Sequence, residues 1–240
     1  MAYDSNAPRK PFIARGSRID RCLSCLLPKQ RCICCEKPLV ESKAVFWLLT
    51  HHDELYKPTN TGRLIVDAIK GSRVFEWSRT EPEQCFIDAL QNPDYYPCIV
   101  FPSGEGYENR MISANTITAQ NKTPAFIILD GTWRQARRMF RLSRYLDHLP
   151  VIQAESAFKS GYHLRQAAEE HHLCTAEVGV SMLQDINDTL GAEALGAYFQ
   201  LFNAEYLQAR RSVDTSDESL LARERLAAFK PSKLISDTLA

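Results

Sequence analysis

An aspartate and a tryptophan lie close together where an apolar run of the sequence ends. Residues 125–129 are apolar and rich in Ile and Phe, which is typical of a strand buried on both faces of a parallel sheet. Asp130 ends this run, and Trp133 follows after a short turn. Ligands of open α/β sheets bind at the carboxyl ends of strands, so this carboxylate and indole are candidates for binding or catalysis. In the alternative interpretation, Asp130 caps a turn and Trp133 fills the core.

The residues after Asp130 predict a basic helix. Gly131 permits a sharp turn, and Thr132 and Gln135 have capping-box spacing, so the helix is expected to begin at Trp133. No acidic residue separates the arginines that follow, and those at positions 134, 137, 138 and 141 share one face. Their mutual repulsion favours contact with phosphates over an ordinary solvated face. The arginines are Arg134, Arg137, Arg138, Arg141 and Arg144.

Five of the eight cysteines lie between Cys22 and Cys35. The spacing C-x2-C-x6-C-x-C gives two close pairs of thiolates, the donor set of a tetrahedral zinc site. A closed site of this kind is structural, since no ligand position stays open. Cys35 leaves the fourth ligand ambiguous, and free thiols are the alternative to zinc. The predicted ligands are Cys22, Cys25, Cys32 and Cys34. The scattered Cys85, Cys98 and Cys174 are expected to be small buried hydrophobes.

Composition and charge describe an ordinary globular chain with an uneven charge distribution. The 240 residues are 45% hydrophobic and 24% charged, with a formal net charge of zero. Residues 1–37 hold eight Lys and Arg against three acids, whereas residues 146–240 hold eight against fourteen. A polarised neutral protein can bind a polyanion with one face. No apolar run is long enough for a membrane span, and residues 1–18 have no apolar region of the kind found in signal peptides, so a cytoplasmic protein without membrane partners is expected.

Predicted strands and helices alternate along the chain, which indicates an α/β fold with a mostly parallel sheet and flanking helices. Polar residues 105–121 have no clear period and are interpreted as an insertion. His51 and His52 are expected to be a hydrogen-bonded loop, and the aromatic residues of the last long helix are expected to be core. The predicted strands are residues 44–50, 73–77, 96–101, 125–129 and 149–153. The predicted helices begin at 62, at a Thr80–Glu83 capping box, at 133, at 175 (ending near Gly191) and at 192.

Several of these motifs together resemble the DTW-domain family. The resemblance covers residues 12–206 and includes the four-cysteine segment, residues 57–64, and three predicted strand ends. Those ends are Phe101-Pro102-Ser103, Asp130-Gly131-Thr132-Trp133 and residues 173–177. The chain departs from the plainest family pattern in having Cys174 before Thr175 and in the extra Cys35.

The resemblance implies a tRNA-modifying transferase with a SPOUT-like fold that contains a trefoil knot. The implied reaction moves the 3-amino-3-carboxypropyl group of S-adenosylmethionine to N3 of uridine 47 in tRNA and releases 5′-methylthioadenosine. Asp130 is then the candidate base or the anchor of the cofactor's positive charge, Trp133 is a stacking surface, and Thr132 belongs to the same catalytic motif. The expected cofactor-binding residues are Phe101, Pro102, Ser103, Gly131, Leu173, Thr175 and Glu177. The expected tRNA-binding residues are Asn60, Thr61, Arg63, Arg134, Arg137, Arg138, Arg141 and Arg165.

The predicted organisation has four parts. A basic arm (1–21) precedes the zinc-binding segment (22–37), the catalytic domain (38–211), and a loosely packed tail with one short helix (212–240). Two other functions stay open at this point: an S-adenosylmethionine-dependent RNA methyltransferase of the SPOUT type, and a non-catalytic zinc-containing RNA-binding protein.

Overall fold

The computed structural model describes residues 19–154, 173–210 and 214–229. Within these ranges the strands are β1 Val45–Thr50, β2 Arg73–Glu76, β3 Tyr95–Val100, β4 Met111–Ile112, β5 Thr123–Asp130 and β6 Val151–Ile152. The α-helices are α1 Gly62–Ala68, α2 Gln84–Gln91, α3 Ala114–Thr118, α4 Trp133–Leu142, α5 Thr175–Asp185, α6 Thr189–Ala209 and α7 Ser216–Ala227.

The described strands form one six-stranded sheet in the order β2-β1-β5-β3-β6-β4, and every pair is parallel. This confirms the predicted α/β fold. β5 lies between β1 and β3, with Thr50 opposite Asp130. All carboxyl ends therefore meet at one edge of the sheet, and Asp130 lies near the middle of that edge. The trefoil knot stays a prediction.

Both faces of the sheet are buried, which explains the unbroken apolar runs of the central strands. Phe46 and Phe126 point into a core shared with α1, α5, α6 and α7. Trp47 and Ile127, one position later, point into the opposite core, which α2 and α4 cover. The predicted aromatic face of α6 is confirmed as core, since Leu195, Tyr198, Phe199 and Phe202 are buried.

Two predicted helix boundaries, the start of α2 and the end of α5, were wrong because a nearby acidic side chain accepts a hydrogen bond that the pattern did not predict. The predicted capping box at Thr80 does not form, since Glu83 accepts a hydrogen bond from the Glu76 backbone N–H (2.7 Å) and α2 begins only at Gln84. α5 ends at Asp185 rather than near Gly191. The chain turns at Asn187, whose φ is 56°, and Asp188 caps α6 by accepting from the Gly191 N–H (3.0 Å).

Two further expectations are corrected by the packing. The polar stretch 105–121 contains edge strand β4 and helix α3, which are too short to show a period. Cys85 is exposed rather than buried, because α2 turns its neighbour Phe86 into the core. Cys98 is buried as expected, and Cys174 is half-buried.

The cysteine segment and α7 pack against the same core as the sheet. Cys25 and Leu27 are fully buried in the core that contains Tyr198 of α6. Leu226 of α7 is also fully buried there, so the predicted loose packing of the tail is wrong for residues 214–229. The proposed boundaries between the four parts of the chain stay a prediction.

Arg223 of α7 joins the cysteine segment to α6. Its guanidinium donates to Glu36 Oε1 and to Glu205 Oε1, each at 2.8 Å. Glu205 is buried, and burial alone would raise its pKa. Hydrogen bonds from Ser219, Arg223 and Arg31 outweigh burial and hold the pKa of Glu205 below its ordinary value.

The part of the chain that the structure describes has no helix with the length and hydrophobicity of a membrane span.

Replacing Arg223 with alanine should lower the free energy of unfolding by about 1–3 kcal/mol at neutral pH, because buried Glu205 loses a charged donor. Urea unfolding measures this change. A lowered pKa stabilises the fold above the ordinary carboxyl range and stops doing so as the pH falls through the lowered value. The difference between wild type and Arg223→Ala should therefore shrink in acid.

Arg225→Ala is the matched control, because Arg225 lies on the same helix and its guanidinium donates to the exposed Gln200 (2.7 Å) instead of a buried carboxylate. Its effect should stay within about 0.5 kcal/mol. Equal losses in the two variants would contradict a specific role for the Arg223 bridge.

Candidate functional site

The carboxylate of Asp130 is buried at the end of β5 and accepts hydrogen bonds from three separate parts of the chain. Oδ2 accepts from the side chains of Asn60 (2.6 Å) and Thr50 (3.3 Å). Oδ1 accepts from the hydroxyl of Thr175 (2.7 Å). Only 3% of Asp130 is exposed. These donors satisfy a charged group that would otherwise be costly to bury.

Two helices begin beside this carboxylate. Asn60 lies just before α1, Thr175 is the first residue of α5, and the Ala176 N–H donates to Thr61 Oγ1 (3.2 Å). The first residue of α1 is Gly62, and a Cβ there would lie 3.0 Å from Asp130 Oδ2. The glycine therefore lets the helix approach closely. The positive end of a helix dipole favours a nearby anion.

A cavity of about 320 Å³ opens at the carboxyl ends of β3, β5 and β6. The start of α4 and the start of α5 close it on the other sides. Its walls, where the described residues form them, are more apolar than polar, and its size falls in the range of small-molecule sites. Six predicted site residues line it: Phe101, Pro102, Gly131, Trp133, Leu173 and Thr175.

Asp130 lies behind this cavity. The described residues that line the cavity include Thr175 but not Asp130. Thr175 therefore contacts both the cavity and, through its hydroxyl, the carboxylate of Asp130. On its other side, Asp130 borders a separate cavity of about 50 Å³ together with Thr50 and Asn60. That space suits one or two waters rather than a ligand.

The indole of Trp133 forms one wall of the cavity and is held by stacking. It stacks on Phe101 with ring centroids 5.6 Å apart and planes 18° apart, and Phe101 in turn stacks on Phe140 at 4.3 Å. The guanidinium carbon of Arg137 lies 5.3 Å from the indole centroid. A fixed aromatic surface thus borders the cavity beside a cationic side chain.

The predicted cysteine cluster assembles in the structure. The sulfurs of Cys22, Cys25, Cys32 and Cys34 all lie within 4.8 Å of one another. Two of the sulfur–sulfur distances are 3.5 Å for Cys22–Cys34 and 3.9 Å for Cys25–Cys32. Zinc–sulfur bonds of about 2.3 Å place the sulfurs of a tetrahedron roughly 3.8 Å apart. The four thiols could therefore hold a metal ion such as zinc.

Cys35 is exposed and its sulfur approaches Glu36 Oε1 (3.8 Å) instead of the cluster, which removes the ambiguity over the fourth ligand. Burial acts to raise the pKa of Cys22, but backbone N–H groups of Cys25 and Ser24 and neighbouring thiols outweigh it and lower that pKa to about 7. Burial instead raises the pKa of Cys25 and of Cys32, so the assignment to a metal rests on the geometry of the four sulfurs.

The sequence model of one protein family, described as DTW domain, matches residues 19–207. The chain belongs to the DTW-domain family. The match includes the four cysteines, the Asp130 network and every described residue that lines the cavity. No solved structure matches the chain. Membership in this family is consistent with a tRNA-modifying enzyme.

Helix α4 of this DTW domain begins as predicted and carries arginine side chains on its outer face. Its capping box is confirmed, since the Gln135 N–H donates to Thr132 Oγ1 (3.3 Å) and the Thr132 N–H donates to Gln135 Oε1 (2.8 Å). Arg144 pairs with Asp147 at 3.2 Å. Four exposed arginines of α4 form no ion pair with any described residue: Arg134, Arg137, Arg138 and Arg141.

Four predicted site residues, one of them predicted as catalytic (Thr132), have structural contacts instead of a place in the cavity lining. Thr132 caps α4. The Glu177 carboxylate caps α5 by accepting from the Cys174 N–H (2.8 Å). Ser103 is exposed, and its N–H donates to Gln153 Oε1 (2.8 Å). Thr61 is 3% exposed and accepts from Ala176, which leaves its hydroxyl inside the protein rather than on a tRNA surface.

The other residues assigned to tRNA near α1 also face the interior of the site. Asn60 is 6% exposed and binds Asp130. Arg63 is half-buried, and its guanidinium donates to the backbone oxygens of Asn60 (3.0 Å) and Lys57. Arg63 thus holds the loop that presents Asn60. Arg165 lies outside the described residues.

Some cavity residues were missed, although two sequence signals point to them. Gln153 and Ala154 follow β6 just as Asp130 closes β5, so the rule for carboxyl ends applies to them equally. Ala136 and Val178 lie one helical turn after Trp133 and Thr175. The other missed residues are Val100, Ile128 and Leu129.

The two adjacent histidines form hydrogen-bonded loop contacts, as predicted. His51 Nδ1 lies 3.1 Å from Gln135 Nε2, and His52 Nδ1 lies 2.7 Å from Glu76 Oε1.

We expect one zinc ion per chain in protein purified without chelators, measured by elemental analysis. Cys34→Ser should release most of it, because a neutral hydroxyl replaces one of four thiolates. Cys35→Ser is the matched control and should keep the full amount. Retention by Cys34→Ser together with loss by Cys35→Ser would contradict the geometry of the cluster.

Proposed function

We propose that this DTW-domain protein transfers the 3-amino-3-carboxypropyl group of S-adenosylmethionine to N3 of uridine 47 in tRNA, with release of 5′-methylthioadenosine. The observation that carries the proposal is the cavity at the carboxyl ends of β3, β5 and β6, bordered by Trp133 and continuous with the arginine-covered α4. A small-molecule cavity and a cationic surface thus meet at one aromatic residue. This is the arrangement that a cofactor-dependent enzyme acting on a polyanion requires.

The cavity suits S-adenosylmethionine in shape and polarity. Apolar side chains on two sides can enclose a flat adenine ring, among them Ile128, Leu129 and Val178. An aromatic face such as that of Trp133 attracts a cationic sulfonium. The sulfonium has three carbons open to attack, so the outcome depends on which one the site turns toward the nucleophile. The protein's contribution is therefore mainly the positioning of the cofactor chain.

The same aromatic residue connects the cavity to the surface proposed for tRNA. Trp133 opens α4, and the exposed arginines follow on the next turns of that helix. Exposed guanidinium groups that form no ion pair with the described part of the chain are suited to phosphate oxygens. A tRNA whose backbone lies along α4 would bring one base to the mouth of the cavity, where flat surfaces can stack on it.

Mass spectrometry of tRNA incubated with the protein and S-adenosylmethionine tests the proposal. We expect a uridine that gains the mass of an aminocarboxypropyl group, together with 5′-methylthioadenosine. A gain of one methyl group, with S-adenosylhomocysteine as by-product, would instead indicate a methyltransferase. Cofactor binding with no modified nucleoside, or no cofactor binding at all, would leave only RNA binding and contradict the proposal.

Replacing Arg137 and Arg141 together with alanine should weaken tRNA binding and flatten its salt dependence. Each lost phosphate contact on a duplex lowers the log–log slope by about 0.9. Filter binding at several salt concentrations measures this slope, and calorimetry should show nearly unchanged affinity for S-adenosylmethionine.

The control for this prediction is the double variant Arg210→Ala and Arg225→Ala, which removes the same charge from the C-cap of α6 and from α7. It should leave the salt slope close to that of the wild type. Identical slopes in both double variants would place the RNA surface away from α4.

A further inference from the structure

We propose that the hydroxyl of Thr175 takes the proton from the acceptor nitrogen and passes its own proton to Asp130. Asp130 then acts as the base of the site through Thr175 instead of by direct contact with the substrate. This inference rests on the proposed function, since it assigns the proton transfer of that reaction.

The position of Thr175 carries the inference. Its hydroxyl donates to Asp130 Oδ1 at 2.7 Å, and the same residue lines the cavity. A threonine hydroxyl has one proton to donate and two lone pairs. With the proton directed at Asp130, the lone pairs are left to accept from a group in the cavity. The hydroxyl is therefore polarised toward accepting a proton.

The burial of Asp130 makes an intermediary necessary. A general base must lie within hydrogen-bond reach of the group whose proton it removes, about 2.6–3.2 Å between heavy atoms, or reach it through one bridging water. Asp130 is 3% exposed, and Asn60 and Thr50 both donate to its Oδ2. These two donors orient the carboxylate so that Oδ1 faces Thr175. Thr175 is the described residue that both lines the cavity and hydrogen-bonds Asp130 with its side chain, so we assign the route to its hydroxyl.

The step balances in atoms and charge. The bond between uridine N3 and the cofactor's γ-carbon forms while the bond from that carbon to sulfur breaks, and the electron pair stays on sulfur as a neutral thioether. The N3 proton moves to Thr175 Oγ1 as the Thr175 hydroxyl proton moves to Asp130 Oδ1. Asp130 later releases that proton to solvent. One positive charge is lost from the sulfonium and one proton is released.

Two variants of Thr175 and one control test this relay by mass spectrometry and by calorimetry with S-adenosylmethionine. Thr175→Val keeps the shape of the side chain but removes the hydroxyl, whereas Thr175→Ser keeps the hydroxyl. Thr189→Val is the matched control, since Thr189 is also the first residue of a helix, is exposed and lies away from this cavity.

We expect turnover of Thr175→Val to fall by about 10²–10⁴-fold, the usual contribution of a positioned base. Its affinity for S-adenosylmethionine should change by less than about threefold. Its residual rate should keep rising with pH, because ionisation of uridine in solution replaces the relay, whereas the wild-type rate levels off. Thr175→Ser and Thr189→Val should both follow the wild-type profile.

Three outcomes would overturn the relay. Full activity of Thr175→Val would remove the hydroxyl from the reaction. A loss of cofactor affinity that accounts for the loss of turnover would make Thr175 a cofactor ligand. A pH profile parallel to that of the wild type would make its role structural. A wild type that forms no aminocarboxypropyl uridine contradicts the proposed function as well, whereas an active wild type with an equally active Thr175→Val contradicts the relay alone.

Discussion

A buried carboxylate at the end of the central strand can remain charged only if hydrogen-bond donors surround it. In this DTW domain the donors for Asp130 come from β1, from the loop before α1, and from the first residue of α5. Satisfying the charge therefore fixes these elements relative to β5. The cavity adjoins the point where β5, α1 and α5 meet, which we call the Asp130 junction. The need to hydrogen-bond the Asp130 carboxylate therefore also fixes the positions of the cavity walls.

Contacts from the cysteine segment and from α6 hold α1 in place at the end away from Asp130. Lys37 of the cysteine segment pairs with Asp67 of α1 at 2.6 Å, and the hydroxyl of Tyr198 donates to the same carboxylate at 3.3 Å. The cysteine segment thus supports the helix whose first turn touches Asp130. A metal in the four-cysteine cluster would act on the site through this packing rather than through chemistry of its own.

Local patterns made much of the structure predictable from the sequence. The start of α4 follows from a capping box within four residues, and the cysteine cluster from the spacing of its pairs. The partners of Asp130 were not predictable, because Thr50, Asn60 and Thr175 are 80, 70 and 45 positions away and meet it only through the strand order. Because the strand order is not visible in the sequence, polar Asn60 is predicted to contact tRNA, whereas in the structure it is buried beside Asp130.

The substitution Asp130→Asn tests the central claim most directly, through urea unfolding and hydrogen exchange. An asparagine turns one acceptor oxygen into a donor that faces another donor, so we predict a loss of about 1–3 kcal/mol in unfolding free energy. Exchange should become faster at the starts of both α1 and α5. Asp94→Asn, at an exposed position, should change neither quantity. Equal stability and equal exchange in the two variants would contradict the account.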